Sequence, residues 1–99
     1  MVDRAGRNLT INSDSWGETK VTIPNPAAAI SPDSKAVLSC RVYSYSGSGV
    51  IYISPLAADN TGPVLPTTFA MAVSMPVVNL NQMSFFGTAG DVAMIVWRT

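Results

Sequence analysis

A chain of 99 residues with six acidic and six basic side chains, one cysteine and no histidine has room for one domain and for little chemistry. Only 12% of its residues are charged, about half the share of an ordinary soluble domain. With no basic excess, no patch can release counterions from nucleic acid or hold an anionic membrane surface.

Residues 1–6 show no periodicity and read as a flexible N-terminal arm ahead of a single β domain over 7–99. Asp3, Arg4 and Arg7 interrupt any apolar core of a signal peptide, and no apolar run reaches the length of about 20 residues needed to cross a bilayer as a helix. Residues 7–12 (RNLTIN) alternate Leu9 and Ile11 with polar neighbours, which predicts a strand. Residues 12–15 (NSDS) predict a turn. Residues 19–23 (TKVTI) alternate again until Pro24 and Pro26, which cannot donate to a sheet ladder.

Residues 31–34 (SPDS) predict another turn, and 36–45 (AVLSCRVYSY) the longest strand. Its alternation places Ala36, Leu38, Cys40 and Val42 in the core and Val37, Ser39, Arg41, Tyr43 and Tyr45 outside. After Gly47 and Gly49, residues 50–54 (VIYIS) read as a strand covered on both faces. A loop follows to Pro66, then a strand at 67–74 (TTFAMAVS) with Phe69, Met71 and Val73 on one face. Residues 82–86 and 91–97 complete the set, and the four-residue, two-glycine link between them predicts a hairpin. About seven short strands without a convincing helix predict a small antiparallel β-sandwich or barrel.

The missing residue types bound the function. Without histidine the commonest general base and zinc ligand are gone, and Cys40 has neither a disulfide partner nor an activating base. The aspartates sit mostly in predicted turns, which suits solvated turn residues better than a catalytic or metal-binding set. No catalytic residue, cofactor or metal is therefore expected. Between Arg41 and Asp91 the only charged residue is Asp59. Charge depletion of that kind is typical of interface cores, and it predicts a surface covered in the working state. Trp16, in the polar run SDSWGET, is a candidate anchor for such a contact, unless it folds back on its own domain.

From Gly49 onward the order of features carries a resemblance. A strand at 50–54 is followed by Asn60-Thr61-Gly62 with Leu65-Pro66, the strand at 67–74, the segment 79–87 (NLNQMSFFG), a Gly90-Asp91 turn and a final apolar strand at 92–97. This order resembles small β-sandwich virion proteins of tailed bacteriophages, of the capsid decoration or cement type. The resemblance covers about half the chain. It departs from the pattern in lacking a glycine after Pro66, and the first 48 residues lie outside it.

The resemblance implies a virion structural protein, made in the host cytoplasm, that binds the outside of a capsid and bridges neighbouring subunits. The major capsid protein or another virion protein would be the partner, with a homodimer or homotrimer as the assembled form. The interface residues expected are Val2, Arg4 and Arg7 near the N-terminus, with Trp16, Tyr43 and Tyr45. The alternative is a tail or fibre module that binds a receptor or carbohydrate through exposed aromatics, with Tyr43, Tyr45 and Tyr52 as a stacking platform.

Overall fold

The computed structural model describes residues 15–55 and 57–99; the arm expected at 1–6 and the strand expected at 7–12 lie outside the described residues. Six strands follow in chain order: β1 (Trp16–Thr22), β2 (Ser39–Ser46), β3 (Ile51–Ser54), β4 (Val73–Met75), β5 (Ser84–Gly87) and β6 (Val92–Arg98). They form two antiparallel sheets, one of four strands in the order β1-β6-β2-β4 and one of two, β3-β5. Short 3-10 turns lie at Phe69–Met71 and Leu80–Gln82, and no α-helix occurs among the described residues. The fold is all-β, as the alternation predicts.

The core lies between the sheets. Val21, Cys40, Val42, Ala93 and Ile95 from the larger sheet meet Ile51, Ile53 and Phe85 from the smaller one, with Ile23, Val37, Leu65, Leu80 and Met83 closing the sides. Val42, Ile51, Phe85 and Ile95 are completely buried, each contributing about 1.5–3 kcal/mol of apolar transfer. The two-stranded sheet is stitched at both edges. Ile30 exchanges backbone bonds with Phe85 on one side, at 2.9 and 2.8 Å. On the other, Leu65 donates to the Ile51 carbonyl at 2.8 Å and Ile53 to that of Pro63 at 3.0 Å.

Four expectations are corrected. First, β5 and β6 do not form a hairpin: β5 pairs with β3, and β6 lies between β1 and β2. A four-residue link can reverse a chain within one sheet or step between two sheets about 10 Å apart. Here Ile23 decides, since it donates to the Asp91 carbonyl at 2.8 Å and accepts from Gly90 at 2.9 Å, which delivers β6 to the sheet of β1. Second, the run at 36–38 is inverted. The chain bends at Leu38, leaving Leu38 68% exposed and Ala36 exposed while Val37 is buried. Regular alternation begins only at Ser39, with Cys40 and Val42 inward as expected.

Third, residues 67–74 are not one strand. Met71 and Ala72 donate back to Thr68 and Phe69 in a 3-10 turn, and only Val73–Met75 joins the sheet. Small Ala72 is buried, whereas Phe69, Met71 and Val73 are exposed. Fourth, Asp91 is no solvated turn aspartate. It is buried, and its carboxylate accepts from the backbone N–H groups of Ser48 at 3.2 Å and Gly49 at 3.1 Å. Gly47, at φ 139°, is obligatory beside it, because a Cβ there would lie 2.2 Å from the Asp91 carboxyl carbon.

Candidate functional site

The outward face of the four-stranded sheet is where the exposed aromatic side chains gather. Strand alternation and pairing set its rows. Trp16 pairs with Arg98 and Arg98 with Ser39; Glu18 with Val96, Val96 with Arg41 and Arg41 with Ser74; Lys20 with Met94 and Met94 with Tyr43. Met94 has the opposite parity from core residues Ala93 and Ile95, yet it is only 2% exposed. It forms the floor of this face, between Lys20 and Tyr43.

Above that floor three rings meet edge to face. Tyr43 lies 6.4 Å from Tyr45 at an interplanar angle of 73°, and 5.8 Å from Phe69 at 69°. Such T-shaped pairs are favoured by the ring quadrupoles. Two local devices bring them together. The β2–β6 register shifts between Ser44 and Ser46, so Tyr45 occupies a bulge, the irregularity that re-aims a side chain. The 3-10 turn then carries Phe69 over β2, held by Arg41, whose Nη2 donates to the Ala72 carbonyl at 3.1 Å.

Cations flank the rings. The Lys20 ammonium stands 4.9 Å from the Tyr45 centroid and the Arg41 guanidinium 6.0 Å from that of Phe69. Both lie within the range at which a ring face attracts a cation. Phe69 and Tyr45 remain about half exposed, and Met71 beside them is 69% exposed. The result is an apolar, aromatic surface with a cationic border, suited to burial against another surface.

The expected interface residues divide three ways. Tyr43 and Tyr45 lie together in the ring row. Trp16 begins β1 rather than sitting in a turn; it is on the same face and 71% exposed, but four residues from Lys20, about 13 Å along the strand. Val2, Arg4 and Arg7 lie outside the described residues. Tyr52 belongs to the other sheet, paired with Phe86, so the three-tyrosine platform does not form and Phe69 takes its place. Arg41 faces out with Tyr43 and Tyr45 as alternation predicts, whereas the sequence does not point to Lys20 or Phe69. The run TTFAMAVS alternates large with small, and alternation alone does not say which set faces out.

At the C-terminal end of β6, Leu38 and Val78 are exposed beside a shallow apolar hollow lined by Ala36, Val37, Leu38 and Thr99. Trp97 closes this end of the core. Its indole N–H donates to Thr19 Oγ1 at 3.0 Å, the Lys35 ammonium stands 4.1 Å from its ring, and Gly17 leaves the space the ring fills. Cys40 is buried on the inner face of β2, and burial raises its thiol pKa, which suits an apolar core thiol rather than a nucleophile. Among the described residues no three metal-ligating side chains cluster. No family model, curated protein or solved structure matches this chain.

Proposed function

We propose that this chain is a virion structural protein of the capsid decoration type, which lays the outer face of its four-stranded sheet on the shell and bridges neighbouring capsid subunits. The observation that carries the reading is the ring row of Tyr43, Tyr45 and Phe69, left partly exposed beside Met71 on one face. Aromatic and methionine side chains are enriched at the buried centres of protein contacts. The charge-poor stretch between Arg41 and Asp91 and the resemblance from Gly49 onward support the same reading. A carbohydrate-binding module fits less well. The rings stand at steep angles to one another and offer no common plane for a sugar, and the neighbouring groups are Lys20 and Arg41 rather than Asn or Asp.

Co-sedimentation with empty shells tests the proposal. Tyr43→Ala and Phe69→Ala are expected to weaken attachment by about tenfold or more each, the scale of interface hot spots, with little change in melting temperature for the exposed Phe69. Undiminished attachment by both variants would overturn it.

A further inference from the structure

We infer that β1 is the pairing edge of a twofold dimer, in which β1 of a second copy lies antiparallel beside it and the two four-stranded sheets continue as one. This goes beyond the proposed function and does not depend on the shell.

The two edges of the larger sheet are unlike. β4 has three residues and is followed by Pro76, so it is blunted in the way that protects sheets from edge-to-edge pairing. β1 has seven residues in an unbroken register with β6, contains no proline, and among the described residues pairs with no other strand. A long regular edge of this kind presents a row of backbone donors and acceptors to another strand.

The side chains of β1 indicate what that strand is. Glu18 and Lys20 lie exposed on the outer face, two residues apart, with Lys20 against the Tyr45 ring and sharing a shallow hollow with Asp33. If Thr19 faces its own symmetry mate, antiparallel pairing opposes Glu18 to the partner's Lys20 and Lys20 to the partner's Glu18. Trp16 then faces the partner's Thr22, and Gly17 the partner's Val21. The edge is self-complementary, as a twofold contact requires. The register is selective as well. Sliding two residues either way opposes Glu18 to the partner's Glu18 or Lys20 to the partner's Lys20, and like charges directly opposite are destabilising. The axis stands perpendicular to the sheet, so the two ring rows share one face and a dimer presents a doubled docking surface.

Sedimentation equilibrium on the full chain, with Glu18→Lys, Lys20→Glu and the double swap, is the test. The parent protein is expected to dimerise. Each single swap opposes like charges twice per dimer and should raise the dissociation constant about tenfold or more; the double swap should restore it to within a few-fold. Both positions are exposed, so the fold should persist, checked by circular dichroism. A monomer at every concentration, or a dimer indifferent to the swaps, overturns the inference. Amide hydrogen exchange supplies a second reading. Protection along β1 should rise with protein concentration. Protection independent of concentration would mean that a segment of the same chain, such as residues 7–12, holds the edge, and would also overturn it.

Discussion

At Asp91 a carboxylate is withdrawn from water and held by two backbone N–H groups of the turn after β2. Its removal would leave both donors without their acceptor. Asp91→Ala should therefore cost about 2–4 kcal/mol in urea denaturation. Cys40 is the complementary case, a buried thiol whose environment is apolar. Cys40→Ser should cost about 1–3 kcal/mol through a hydroxyl lacking a partner, and the native thiol should react slowly with thiol reagents. Burial raises the Cys40 pKa above its ordinary value of 9.0, so the unfolded chain loses this proton first. The stability contributed is whole below about pH 9 and is lost as pH rises through the folded-state pKa. Comparing the alkaline fall in stability of Cys40→Ser with that of the parent isolates this effect; a fall of equal size in both would refute it.

Among the elements, the short irregular ones do most to shape the molecule. The 3-10 turn at Leu80–Gln82 begins with a reciprocal cap, in which Asn79 Oδ1 accepts from Asn81 at 3.1 Å and Gln82 Oε1 accepts from Asn79 at 3.1 Å. The same Asn79 oxygen accepts from the Lys35 N–H at 3.0 Å, and its amide nitrogen donates to Ser34 Oγ at 3.0 Å. One side chain thus ties together segments far apart in sequence. Asn79→Ala should cost about 1–2 kcal/mol, the scale of a lost cap, and should speed amide exchange at Lys35 and Asn81. Exchange unchanged at Lys35 would show that the tie is dispensable. The bulge at Tyr45 and the turn carrying Phe69 are irregular in the same sense, and without them the ring row would not assemble.

For the whole molecule, the distribution of charge governs how attachment should respond to conditions. The ring row comes from the charge-poor stretch, whereas Lys20 and Arg41 stand at its border. Without histidine no side chain titrates near neutrality at its ordinary pKa. Attachment to the shell should therefore stay nearly flat from about pH 6 to 7.5. Contacts resting on apolar burial should also persist at about 0.5 M salt, where exposed ion pairs are screened. Bound protein measured across that grid checks both points. A steep loss with salt would mean that Lys20 and Arg41, rather than the rings, make the contact.

Local alternation determined much of this protein by itself. An all-β fold, the inward facing of Cys40 and Val42, and the outward facing of Tyr43 all follow from the two-residue period of a strand, a local property of the chain. What alternation cannot convey is which strand lies beside which. The assignment of β5 and β6 to different sheets rests on Ile23, distant in sequence, bonding to Gly90 and Asp91. Burial of Asp91 rests on a turn that ends more than forty residues earlier. Phe69 joins Tyr43 because Arg41 holds the Ala72 carbonyl, and Tyr52 leaves the tyrosine group because β3 pairs with β5 in the other sheet. Each is a long-range pairing, chosen by the packing of two sheets on one core, and only the tertiary structure decides it.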